Sequence, residues 1–214
     1  MKRIQQNVID NAMTYEAYRA LIDNLMAQQK ATGDNHSEAM LNYTNLNIAR
    51  MNRLDRTTKL TEETIDTLQQ IEQSQIWLTI TEGWCGDAAQ VIPVLQKMAE
   101  QHNKIELQLI LRDENLEVMD AFLTNGGRSI PKVIVLNAET LEVLTTWGPR
   151  PAELQQMVLD NKVEMQGLSD EEARKAADYE AKKAQQRWYA KDKTRSTQRE
   201  FLQAITEVAV LTEE

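Results

Sequence analysis

Strand-length apolar runs alternating with segments of helical period predict an α/β fold, a mixed central sheet with helices on both faces. Three observations carry this. The run 76–81 is rich in β-branched and aromatic residues, which suit a pleated surface, and leads into residues 88–98, whose apolar positions repeat at helical spacing. Beyond it, strand, helix, strand, strand and helix follow at 105–111, 116–123, 132–136, 141–147 and from Pro151 through Val158. The two consecutive strands flank Asn137-Ala138-Glu139-Thr140, a turn that makes them an antiparallel hairpin.

The other elements follow in chain order. Residues 1–13 are polar and read as loosely ordered. Thr14 caps a helix marked by Tyr18, Leu21, Ile22, Leu25 and Met26, with Gly33 supplying a left-handed end. A second helix spans about 37–54, with Leu41, Thr44, Ile48 and Met51 on one side. Arg50, Arg53 and Arg56 recur along another side, either as a solvated face paired with the chain's carboxylates or as an anion-binding edge. Thr61 caps a short helix through Ile65, Leu68 and Ile71, with Glu62 and Glu63 in its first turn. Pro93 falls inside the helix at 88–98, where a missing backbone donor bends the chain, and Pro151 opens a helix, a place proline favours.

After Gly167, Ser169-Asp170-Glu171-Glu172 reads as a capping box for a helix through Ala173, Ala177, Ala184 and Trp188. From about 182 to 199 the charge turns basic, and Phe201, Ile205 and Val208 then repeat at helical spacing. Trp188 and Phe201 are expected to pack on the core or on a second subunit, which allows a homodimer through the helical extensions. A basic docking patch for an acidic partner is the other reading. These features divide the chain into a helical N-terminal extension (1–60), an α/β domain (61–162) and a C-terminal helical extension (163–214).

The chain has 214 residues, a net charge of -9 and one cysteine. The length accommodates a core of about 100–150 residues with appendages. Acidity argues against nucleic-acid and anionic-membrane partners, and no apolar run approaches the ~20 residues a membrane span needs. A single cysteine excludes an internal disulfide, and residues 1–25 lack a secretory apolar stretch, so a reducing cytoplasm is expected. His36 and His102 pair with nothing at a recognisable spacing, and no metal-ligand cluster is legible.

Chemistry concentrates where the first strand meets its helix. Cys85 lies in that turn, at the helix N-terminus, where unpaired N–H groups and the positive dipole end favour a thiolate. Trp84-Cys85-Gly86-Asp87-Ala88 resembles the active-site turn Trp-Cys-Gly-Pro-Cys of the thioredoxin family, with Asp87 for the proline and Ala88 for the second cysteine. Pro93, Ser129-Ile130-Pro131 and Gly148 are similar in position to that family's helix-kinking proline, cis-proline segment and late-loop glycine. The longer words 82–90 and 123–132 resemble a bacterial thioredoxin-like subgroup with a helical N-terminal extension. The resemblance covers roughly residues 62–162 and implies a thioredoxin-like fold.

It also implies roles. Cys85 would attack a disulfide, the backbone of Ile130 beside cis Pro131 would pair with an extended substrate, and Trp84 would shield the sulfur, with Gly86 part of the same surface. Ala88 cannot resolve a mixed disulfide. Release would therefore need glutathione, another low-molecular-weight thiol, or a thiol-bearing protein, and no other cofactor is implied. The family's buried acid six residues before the nucleophile is Thr79 here. Asp87 opposes a nearby thiolate, whereas Arg128 and Arg150, on segments the fold brings toward the sulfur, would favour it or simply pair on the surface. Two functions stay open: monothiol exchange with a disulfide-bearing or thiol-bearing partner, or a redox-inactive scaffold using the same groove. An inert packed thiol is a third reading. The assignment of groove and chemistry alike requires a solvent-reachable sulfur opposite the proline-bearing loop.

Overall fold

The computed structural model describes residues 2–211, with side chains described through residue 207. Strand β1 (Gln75–Thr81) is buried along its whole length, as a central strand covered on both faces must be. It pairs in parallel with β2 (Ile105–Leu111) and antiparallel with β3 (Lys132–Asn137), which pairs antiparallel with β4 (Val143–Trp147) across a register shift at Val135/Leu136. The order β2-β1-β3-β4 is the predicted mixed sheet.

Residues 1–13 are expected to be loosely ordered, and the described part of this segment is not. Ile4 N–H donates to Leu141 O at 3.0 Å and Val143 N–H to Lys2 O at 2.9 Å, while Met13 and Leu109 exchange two bonds of 2.8 Å. A short helix, α1 (Gln6–Asp10), lies between these contacts. Edge-strand polar groups left open cost stability or invite another chain, and this polar stretch supplies partners to β2 and to the hairpin that ends in β4.

Helix α2 (Tyr15–Ala27) begins at Thr14, whose hydroxyl accepts from Ala17 N–H. It stops earlier than the glycine suggests, because Gln29 rather than Gly33 takes the left-handed conformation just past its end. Gly33 has φ +73°, and a Cβ there would stand 2.6 Å from Asp113 Oδ2. Helix α3 (Glu38–Thr57) buries Thr44, Asn47, Met51 and Leu54 and packs along α5 (Ala88–Ala99). Helix α4 (Glu62–Gln69) has the Thr61 cap. Pro93 lies within α5, whose buried residues include Val91, Ile92, Val94, Leu95 and Met98.

Helix α6 (Leu116–Ala121) is followed by a tight turn in which Asn125 and Gly126 have positive φ. Pro151 directly precedes α7 (Ala152–Gln166). Helix α8 (Glu171–Asp192) is capped by Asp170, which accepts from Ala173 N–H, in place of the expected Ser169. In α9 (Arg195–Leu211), Phe201 is fully buried, edge-on to Trp77 at 4.7 Å and to Trp147 at 5.9 Å. Trp188 is half-buried and donates to Glu153 at 3.1 Å, and the side chain of Val208 lies outside the described residues. Tyr18, Ile22 and Met51 before the sheet, and Phe201, Leu202 and Ile205 after it, join its buried residues in one apolar cluster.

Candidate functional site

The turn 82–87 joins β1 to α5 and is tied down by backbone. Cys85 N–H donates to Glu82 O at 3.1 Å, and Ala89 N–H donates to Cys85 O at 3.2 Å. Asn47 of α3 donates to Gly83 O at 2.9 Å, and Thr32 accepts from Gly83 N–H at 2.9 Å. Gly83 permits this closeness, since a Cβ there would lie 3.2 Å from Ile22. Contacts from α2, α3 and the loop between them therefore fix the turn that carries the cysteine.

The thiol faces the proline loop but is not open to solvent. Cys85 is 8% exposed, and Sγ–H donates to Ile130 O at 3.2 Å. The Ile130–Pro131 peptide is cis, as is Gly148–Pro149. Ala88 N–H points at Sγ from 3.5 Å. Burial pushes the thiol up to about 12, with Asp87's charge acting in the same direction. The Ala88 and Asp87 amides and Arg150 pull the other way and lose, because a thiolate removed from water forfeits more than a few oriented dipoles return. The solvent-reachable sulfur expected for groove and chemistry alike is therefore absent from this conformation.

Asp87 is itself enclosed. Arg150 donates to its Oδ2 from Nη2 at 2.6 Å and from Nε at 3.0 Å, and Tyr189 of α8 donates to Oδ1 at 2.8 Å. Arg150 also donates to Gln155 at 2.8 Å. With both carboxylate oxygens filled, the pair is a structural clamp between the cysteine turn, the loop before α7 and the C-terminal extension. Above Gly86, the space a Cβ would occupy is 3.4 Å from Gln186 Nε2 and 3.5 Å from Arg50 Nη1. Gln186 also accepts from Gln90 at 2.7 Å.

The predicted arginines divide. Arg150 reaches the site, whereas Arg128 is held on the surface by Asp120 through bonds of 2.6 and 2.8 Å and is not among the main groups acting on the thiol. Its exposed segment offers a closer carboxylate than the sulfur. Arg50 is half-buried beside Gly86, while Arg53 and Arg56 are exposed. Trp84 is half-buried with Arg112 4.8 Å over its ring. Pro131 packs against Gly148, where a Cβ would meet Pro131 O at 2.5 Å. Thr79 is buried on β1, with its hydroxyl 3.4 Å from Trp77 O.

Sequence reasoning missed Asn47, Gln186, Tyr189 and Glu82. The first three stand on helices far along the chain, and no local pattern marks them. Glu82 carried a readable signal, a charge ending an apolar strand. It is fully buried, its Oε1 accepts from Asp113 N–H at 3.0 Å, and its Oε2 has no partner among the described residues. Burial raises its pKa, against the Asp113 N–H bond and the Arg112 charge, which act to lower it. Among the described residues no group of three or more His, Cys, Asp or Glu side chains could hold a metal ion. None of the described helices is long and apolar enough to cross a membrane.

Fold and site together define a thioredoxin-fold protein whose turn has one cysteine. The model of the family described as Thioredoxin matches residues 33–166, and the chain belongs to that family. The match begins before α3, so it takes in the helix that braces the cysteine turn. A crystal structure of a protein of unknown function from Pseudomonas aeruginosa is similar, with 21% identity and a TM-score of 0.56 over 97% of this chain and 99% of that chain. An HIV epitope-scaffold structure matches at 20% identity and a TM-score of 0.47, over 70% of this chain and 79% of that one. No curated protein matches.

Proposed function

We propose that this chain is a thioredoxin-fold binding module in which Cys85 is a protonated structural thiol. The observation that carries the reading is the bond from Sγ–H to Ile130 O at 3.2 Å. By family resemblance, the backbone of that residue would pair with a partner's extended chain; here one of the two lone pairs of its carbonyl takes the thiol proton, which holds the sulfur in place. Burial and the neighbouring Asp87 charge favour the protonated thiol at neutral pH, and Ala88 leaves any mixed disulfide without an internal resolving group. The test is incubation of the reduced protein with glutathione disulfide at pH 7, followed by intact mass. No glutathione adduct is expected over a period in which a dithiol thioredoxin reacts to completion. Rapid adduct formation at Cys85 would overturn the proposal.

Monothiol exchange is the second reading, and the Ala88 N–H aimed at Sγ favours it. In that cycle the Cys85 thiolate attacks one sulfur of a disulfide, the old S–S bond breaks, and the departing thiolate takes up a proton. An external thiol then repeats the exchange to free Cys85. This reaction requires movement that breaks the Ile130 contact and hydrates the sulfur. Cys85→Ser separates the two readings, because a binding module keeps its partner and an exchanger loses its reaction.

A further inference from the structure

Away from the cysteine, an open cleft of about 480 Å³ is lined by residues including Lys2, Phe122, Leu123, Lys132, Thr145 and Thr146. Among the described residues no acidic side chain lines it, although the chain is strongly acidic overall. Lys132 is only 8% exposed, yet among the described residues the one hydrogen bond its ammonium makes is a long one, 3.4 Å to the hydroxyl of Thr124. An ammonium has three protons to place, and one long bond leaves donors free for a partner in the cleft. Burial alone lowers its pKa, and no carboxylate acts against that shift. Lys2 brings a second ammonium, which donates to Ala121 O at 2.6 Å and lies 4.9 Å from the centre of the Phe122 ring.

We propose that this cleft binds a small carboxylate carrying a compact apolar body. The carboxylate supplies the negative charge that Lys132 lacks and accepts from both ammoniums. The ring of Phe122 and the side chains of Leu123 and Val143 take the apolar part, and the Thr145 and Thr146 hydroxyls border the polar end. Two lysines in one lining that has no acidic residue among the described residues suit a carboxylate, while the apolar lining selects against a bare inorganic ion. Nothing in this site depends on the cysteine, so it stands or falls apart from the proposed role of Cys85.

The test is calorimetric titration of the full chain with phenylacetate, with 2-phenylethanol and inorganic phosphate in parallel arms. Saturable binding of phenylacetate is expected, with about tenfold or greater weakening for the neutral alcohol and for phosphate. Lys132→Met keeps the apolar stem and should weaken phenylacetate binding by a similar factor. Because Lys132 is buried, Lys2→Met on the exposed side provides an independent variant, expected to weaken binding several-fold with an unchanged circular dichroism spectrum. No saturation at millimolar phenylacetate, equal binding of the alcohol, or full affinity in both lysine variants would each overturn the proposal. Equally tight phosphate would overturn the apolar half of it.

Discussion

At Cys85 the direction of pH dependence follows from burial. The folded thiol keeps its proton to about 12, whereas the unfolded thiol loses it near roughly 8.5. Between those values the native state binds more protons, so this contribution to stability is complete below about 8.5 and declines as pH rises toward 12. Urea titrations at pH 7.5 and 9.5 should show a loss for the native chain that is smaller in Cys85→Ala. Asp87→Asn removes the second cause of the raised thiol pKa and frees Arg150, so the midpoint of alkylation rate against pH should move down. An unmoved midpoint would show that Asp87 does not act on the sulfur. Arg150→Met leaves the Asp87 carboxylate buried with only Tyr189 as a partner, and a loss of about 3–5 kcal/mol is expected by urea unfolding.

Single elements carry smaller, more local energies. Thr61 caps α4 by accepting from Thr64 N–H at 3.1 Å, so Thr61→Ala should cost about 1 kcal/mol with little change at the thiol. The loop between β4 and α7 is less forgiving. Gly148 has φ +108°, and a Cβ would meet the Pro131 carbonyl at 2.5 Å, backbone that cannot swing aside. Gly148→Ala should therefore lower the urea midpoint and also raise the Cys85 alkylation rate, since it pushes the loop that accepts the thiol proton away from the sulfur. A loss of stability with unchanged alkylation would mean that the loop yields on its other side. Helix α3 occupies both levels, because Met51 and Leu54 belong to its packed face while Asn47 on the same face holds the Gly83 carbonyl.

For the whole molecule, the helical flanks are part of the interior. Phe201 stands edge-on to Trp77 of the central strand, and Phe201→Ala should cost about 3–5 kcal/mol, read from the urea midpoint. Much of this architecture was legible from residue patterns. The β-branched run at 76–81 is β1, the 105–111 and 132–136 runs are strands, and the periods around Tyr18, Met51 and Phe201 mark faces that are buried. Helix ends were less legible, as Gln29 and Asp170 show, because neighbouring residues offer competing caps of similar energy. Of the site, the sequence by itself determined that one cysteine would sit in the turn between β1 and α5 without a resolving partner, because period and motif are local properties of the chain. Only the tertiary structure decided that this sulfur is buried and bonded to Ile130, with Asp87 clamped by Arg150 and Tyr189. Tyr189 and Asp87 stand 102 residues apart in the chain, and no local pattern encodes that such segments meet.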